Sequence, residues 1–250
     1  MSKLGEINIT QKHLDSMNVI KKEDNSDKPK LWLSNNILYK KDDFCIIRRY
    51  REYFELLNDY EELKNCVFPE NTFNVAGRYI GYTTPYYEEY KSICFRMNKN
   101  KYNINEKKKI MKKIVKVLKN MHNLDIVHAD FHTNNVICNK KDIKIIDFEK
   151  IRIKELEDSA TYLYKLRDDI YYLNLMILSV LFDCNMSLVD EVEYEEFIYD
   201  MSFETEFKQY LINCLKYREN EIPKELLEYI DSIKRKDIVE GKKLAKSLHL

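Results

Sequence analysis

Three side chains able to hold a hard cation or move a proton lie in one stretch, IVHADFHTNNVICNKKDIKIIDFE, from Ile126 to Glu149. Asp130 and Asn135 are five positions apart in a segment without helical or strand periodicity, and Asp147 closes a β-prone run twelve positions later. Two oxygen ligands on separate loops joined by a hairpin can converge on one cation of the Mg²⁺ kind. Such a cation takes a couple of protein oxygens and completes its octahedron with phosphate oxygens and water. Asp130 is then a spare carboxylate, free to orient a hydroxyl and accept its proton. Taken singly, Asp130 and Asn135 also suit a loop cap and Asp147 a strand end; together at this spacing they point to chemistry. His128 and His132, four apart, lack a third ligand at zinc spacing. His128 reads instead as a packing residue that holds the loop.

The surrounding elements suit that task. Ile110, Ile114, Val117, Leu118 and Met121 repeat at helical spacing and predict a helix running to about His122. After the loop, Val136 to Cys138 and Ile143 to Ile146 flank Lys140-Lys141-Asp142 as a hairpin. Upstream, Leu31–Leu33, Ile37–Lys41 and Phe44–Arg49 are β-prone runs parted by Asn35-Asn36 and Asp42-Asp43, so an antiparallel meander is expected. Glu52–Asn65 carries one apolar stripe and predicts a helix; Arg78–Tyr82 and Lys91–Met97 predict two more strands. Helices are expected over Tyr162–Leu181, Glu191–Met201, Glu204–Tyr217 and Lys224–Ile233. Residues 1–30, polar and lysine-rich, are expected to form an N-terminal arm or extra element. The fold class expected is α+β: a small antiparallel β lobe with one helix at 31–97, then a larger helical lobe at 98–250.

The ordered set resembles the protein-kinase-like superfamily. His128-Ala129-Asp130-Phe131-x-x-x-Asn135 is similar to the catalytic loop H-R-D-L-x-x-x-N, and Asp147-Phe148-Glu149 to the magnesium motif D-F-G. LKNMHNLDIVHAD, starting at Leu118, resembles the helix that leads into that loop. His132 and Glu149 are more like the aminoglycoside and choline kinase branch, where H-G-D-x-H-x-x-N is usual. Asp169-IYYLN resembles the D-x-Y-S-L-G start of the central helix of Ser/Thr protein kinases, with Asn174 where glycine is usual. Phe207 to Leu227 loosely resembles the last helices, and the likeness covers about residues 31 to 235. The resemblance implies a bilobal kinase-like fold, ATP and Mg²⁺ as cofactors, Asp130 as catalytic base, and Asn135 and Asp147 as metal ligands.

The small lobe departs from that pattern. The resemblance places the lysine of V-A-I-K within Cys45-Ile46-Ile47-Arg48, so an arginine stands there, Arg48 or, one register on, Arg49. Its fork carries the charge but not the shape of an ammonium. The partner carboxylate on the helix is expected at Glu61 or Glu62. Ser34-Asn35-Asn36 stands for the glycine-rich loop, without its glycines. The adenine hinge is expected near Phe95 to Asn98. Between Glu149 and Arg167 there is no A-P-E, and Ala129 replaces the arginine that grips an activation-loop phosphate. Ser159, Thr161, Tyr162 and Tyr164 there read as ordinary hydroxyls, so phosphorylation-switched activation is not expected.

Composition narrows the remaining classes. Lys plus Arg equals Asp plus Glu at 42 each, which gives no charge-based expectation of nucleic acid or an anionic membrane surface. Hydrophobic residues at 44% support a real core. The six cysteines (Cys45, Cys66, Cys94, Cys138, Cys184, Cys214) form no C-x-x-C and read as reduced core thiols of a cytoplasmic protein. The start, MSKLGEINITQKHL, has no apolar signal region. The longest apolar run, Ile170 to Phe182, falls short of the roughly 20 residues of a membrane span and predicts a buried helix. Three functions remain. An ATP- and Mg²⁺-dependent kinase acting on a protein Ser/Thr hydroxyl is favoured by the intact Asp130, Asn135 and Asp147. A small-molecule kinase of the sugar, choline or aminoglycoside type is favoured by His132 and Glu149. A pseudokinase that binds nucleotide or acts as a scaffold is favoured by the arginine and the lost glycines.

Overall fold

The computed structural model describes residues 4–22, 29–42, 47, 51–57, 60–93, 102–186 and 190–247. The chain divides into two compact units, Met1–Tyr90 with Ile145–Lys150, and Lys91–Lys144 with Ile151–Leu250. The architecture is α+β, a unit built on a mixed sheet and a helical unit.

The first unit is built on six strands: β1 (Gly5–Ile9), β2 (Asn18–Lys22), β3 (Pro29–Ser34), β4 (Ile37–Lys41), β5 (Asn71–Val75) and β6 (Arg78–Pro85). Their order is β1-β5-β6-β4-β3-β2. The pairings are antiparallel except β1 with β5, which makes the sheet mixed rather than wholly antiparallel. Much of the expected N-terminal arm is therefore sheet: β1 and β2 form its two edges, with helix α1 (Gln11–Asp15) between them in sequence. Leu14 of α1 packs with Trp32, Tyr39, Phe73 and Val75 in one core cluster. Phe73 is its centre, edge-on to Tyr39 at 5.4 Å and to Trp32 at 6.4 Å, a favoured aromatic geometry.

Asn35 and Asn36 alone connect β3 to β4, with φ of 50° and 60°. Both lie in the left-handed region that asparagine tolerates, and the mirror-image turn matches the strands' twist. So tight a turn leaves no phosphate-covering loop at Ser34-Asn35-Asn36. Of the expected strand Phe44–Arg49 only Ile47 is described, and it is helical. The expected helix Glu52–Asn65 splits into α2 (Arg51–Leu57) and a 3₁₀ turn at Glu61–Leu63. Phe54, Leu57 and Leu63 of its apolar stripe are buried, but the last turn is closed by three-residue bonds such as Leu63 N to Tyr60 O.

The second unit opens with β7 (Lys91–Ser92), all that is described of the expected strand Lys91–Met97, and α3 (Ile104–Asn123). Asn103 and Glu106 close a reciprocal capping box at the start of α3. Short β8 (Ile126–Val127) follows; β9 (Val136–Cys138) and β10 (Ile143–Ile145) are the expected hairpin, and β11 (Arg152–Ile153) pairs with β8. Five further helices follow: α4 (Ser159–Phe182), α5 (Glu191–Asp200), α6 (Thr205–Leu215), α7 (Leu226–Ser232) and α8 (Arg235–Ser247). From Leu173 to Phe182 every residue of α4 is buried, and the helix contacts α3, α6 and α8. An all-round apolar helix of this kind is a core element. Among the described residues no helix is long and apolar enough to cross a membrane. Cys66, Cys138, Cys184 and Cys214 are buried, and no disulfide joins them among the described residues.

Candidate active site

In the first unit, the short run 145–150 is fastened by backbone bonds to the end of the 3₁₀ turn. Ile145 N donates to Asn65 O and Val67 N to Ile145 O, both at 2.8 Å. Phe148 is buried against Phe68, with centroids 4.5 Å apart. Asp147, between these anchors, has φ of 69°. A carboxylate residue held in the left-handed region over-determines its own direction, a device common at functional sites.

What Asp147 meets is Lys40. The ammonium lies 2.6 Å from Asp147 Oδ1 and 3.3 Å from Glu149 Oε1. Lys40 follows the buried Tyr39 on β4, so strand alternation sends it to the face opposite the Phe73 core. On that face it pairs in register with Tyr82 of β6 and sits 6.0 Å from its ring centroid. Tyr82 OH donates to Glu149 Oε1 at 3.3 Å. Just past β4, Asp42 accepts from Ile47 N at 3.0 Å and Tyr79 OH at 2.5 Å, which pins the strand end. Burial raises the Glu149 carboxyl above its ordinary value; the Lys40 charge opposes this and that of Asp147 adds to it. The Tyr82 hydroxyl is pushed well up, first by burial and then by Glu149.

The sequence reading passed over Lys40. Its signal was the run Ile37-Leu38-Tyr39-Lys40, three apolar residues and a lysine ending a strand. Arg48 and Arg49, and the hinge at Phe95 to Asn98, lie outside the described residues. Glu61 and Glu62 are exposed on the 3₁₀ turn, and Glu61 pairs with Lys64 at 2.5 Å.

The second unit holds the loop with Asp130 and Asn135. His128 is fully buried, with its ring 5.8 Å from that of Phe131 in an edge-on contact, in keeping with a packing role. Asn135 Nδ2 donates to Asp130 O at 3.0 Å and lies 3.5 Å from Asp130 Oδ2. That use of its nitrogen leaves the amide oxygen to meet a cation. His132 Nε2 is 3.9 Å from Asp130 Oδ2, while its Nδ1 accepts from Asn134 N at 3.2 Å. Beneath the loop, the fully buried Asp169 of α4 accepts from His128 N at 2.8 Å and Ala129 N at 2.9 Å. These bonds hold Ala129 at φ of 61°, immediately before Asp130. His122 Nε2 completes the clamp, 3.3 Å from Asp169 Oδ2. Tyr162 packs on Val127 and Ala129, and burial raises its hydroxyl to about 12.

Each unit holds oxygen donors of the hard kind that suits Mg²⁺: the Asp147 carboxylate in the first, and the Asp130 carboxylate and Asn135 amide oxygen in the second. Among the described residues no three His, Cys, Asp or Glu side chains come together as a metal cluster.

Residues 91–176 match the sequence model of the RIO domain. Over that segment the chain is similar to the protein-kinase-like superfamily, to which RIO kinases belong. RIO domains mark a family of atypical, ATP-binding, kinase-like phosphotransferases, and the matched segment contains Asp130, Asn135, Asp147 and the clamp at Asp169. A search of curated proteins finds no match.

Proposed function

We propose that the chain is an active ATP- and Mg²⁺-dependent kinase that transfers the γ-phosphoryl group to a hydroxyl, most nearly as a Ser/Thr protein kinase does. The observation that carries this is the Lys40–Asp147 ion pair. It places a phosphate-type cation on the very carboxylate that the D-F-G resemblance makes a magnesium ligand. Lys40, not Arg48 or Arg49, then binds the α/β-phosphates. Ile37-Leu38-Tyr39-Lys40 stands where V-A-I-K stands in kinases, on the third strand of the run β2-β3-β4. With this lysine present, the argument for a pseudokinase loses its main support.

Asp147 and Asn135 serve as oxygen ligands to the metal, which draws charge off the phosphate oxygens when bound. Asp130 orients the acceptor hydroxyl and takes its proton, held in place by Asn135 and by the Asp169 clamp. Residues 31–97 are assigned to nucleotide binding and 98–250 to catalysis. The buried Cys66, Cys138, Cys184 and Cys214 suit the reducing cytoplasm as core residues. His132 beside Asp130 favours a second reading, a small-molecule hydroxyl as acceptor.

Incubation with γ-labelled ATP and Mg²⁺, alone and with a cell lysate, tests the reading. Label in protein supports the first acceptor class, and label in small molecules the second. ATP binding without any label transfer would overturn the kinase reading.

A further inference from the structure

Beside the catalytic loop, α4 and the turn after α6 build a cluster of tyrosines that phosphoryl transfer does not use. The rings of Tyr164 and Tyr217 stack with centroids 6.0 Å apart and planes 3° from parallel. Tyr171 lies 5.4 Å from Tyr217 and 5.3 Å from Tyr172. Tyr164, Asp168, Tyr171 and Tyr172 are spaced by four, seven and eight along α4, which puts them on one face. Asp168 precedes Asp169, whose carboxylate bonds the amides of the two residues before Asp130. Tyr172 of this face is near enough to Asp130 for that carboxylate to act on its hydroxyl.

Core packing does not explain this cluster, because Tyr164 is 54% exposed. Asp168 and Glu191 bring carboxylates to it. Asp168 takes Tyr217 OH at 3.4 Å. The Tyr172 hydroxyl is raised first by burial, then by Asp168, with Asp130 contributing, and Glu191 acts likewise on Tyr171. Lys165 opposes these carboxylates, its ammonium 5.1 Å over the Tyr164 ring and 3.3 Å from Asp168. The ring thus already receives a cation from its own chain. Exposed aromatic faces backed by carboxylates attract ammonium and guanidinium groups.

We propose that this tyrosine face docks the acceptor, and that the acceptor is a polypeptide segment with an arginine or lysine beside its hydroxyl residue. The inference rests on the phosphotransfer reading above. An open platform suits a chain laid across it, whereas a small cation needs an enclosing cage. The incoming side chain displaces Lys165 from Tyr164, and arginine has the planar shape to stack there.

The test uses the full chain and two fluorescent serine peptides, one flanked by arginines and one by glutamates. Binding is read by anisotropy without ATP, then transfer is read with γ-labelled Mg-ATP. The arginine peptide binds and the glutamate peptide does not. Tyr164→Ala weakens arginine-peptide binding and raises its KM about 5-fold, the scale of one lost cation–π contact. Tyr164→Phe restores both, and KM for ATP holds throughout. Equal binding of the two peptides, or transfer to choline but not to the arginine peptide, overturns the proposal. Transfer that ignores Tyr164 overturns the docking face and leaves the kinase reading intact. Ring-dependent binding with no transfer overturns the kinase reading and leaves the face as a basic-peptide site.

Discussion

The ammonium of Lys40 and the Oδ1 of Asp147, 107 positions apart in sequence, are joined at 2.6 Å. The contact lies within the first unit, which gathers residues 145–150 onto its sheet side. The pair keeps two part-buried charges neutralised. Under the proposed function, Lys40 would meet phosphate oxygens and Asp147 would hold the metal.

Replacing Lys40 by methionine removes that cation and keeps the stem. Phosphoryl transfer is expected to fall about 10²-fold or more, the usual scale for one lost donor at developing charge. Steady-state kinetics with labelled ATP provide the readout. Arg48→Ala and Arg49→Ala are the decisive comparison. A loss in either as large as that in Lys40→Met would hand the phosphate role back to an arginine.

Asp130→Asn keeps the size of the side chain and its loop contacts but removes the proton acceptor. Transfer is expected to drop about 10²- to 10⁴-fold, while Mg-ATP affinity by calorimetry stays within error. Asp147→Ala should do the reverse and weaken Mg-ATP binding itself. If the two variants behaved alike in both assays, the division between base and metal ligand would be wrong.

Asp169→Ala leaves the buried amides of His128 and Ala129 without their acceptor. Each orphaned donor costs about 1–3 kcal/mol, so the melting temperature should fall by roughly 4–24 °C in a chain of this size. Activity should fall more than stability explains, because Ala129 would relax from its left-handed conformation and swing Asp130 away. A melting temperature like wild type's would show that the clamp carries no strain.

These cases show what the sequence could and could not disclose. The loop that brings Asn135 onto Asp130 was legible because its residues are near neighbours, and their spacing survives any error in strand register. Lys40 was not, for a topological reason. The first strand of the meander is β2, Asn18–Lys22, a polar edge strand with register shifts against β3 and no clean alternation. Read as part of an arm, it shifts the strand count by one place, which moves the proposed position of the phosphate-binding cation from Lys40 to Arg48. The 3₁₀ turn at Glu61–Leu63 was not legible because a stripe of three- and four-residue spacings looks the same whether the last turn is α or 3₁₀. The left-handed backbone at Ala129 and Asp147 leaves no trace in composition, since neither is glycine.

Glu149 gives a pH test. Its carboxyl is raised from the ordinary 4.5, chiefly by burial. Between the two values the folded protein keeps a proton that the unfolded chain has lost. Stability is therefore greatest below the unfolded value and declines as pH rises through the folded one. Denaturant midpoints measured from pH 4 upward should show that decline in wild type and lack it in Glu149→Gln. The same slope in both proteins would place the titration elsewhere.

Gly81 of β6 tests whether strand spacing sets the Lys40 site. It pairs with Lys41, and a Cβ built there would lie 1.9 Å from the carbonyl oxygen of Lys40. That neighbour is backbone and cannot rotate aside, so Gly81→Ala must push β4 away from β6. Overpacking of this kind costs about 1–3 kcal/mol. The displacement acts on the residue whose ammonium meets Asp147, so a rise in KM for ATP should accompany the lost stability. Gly77→Ala is the control: the turn glycine has φ of 75° but open space around it, so its cost is backbone strain alone and KM for ATP should hold. Equal KM shifts in the two variants would mean that general destabilisation, not the position of β4, controls nucleotide binding.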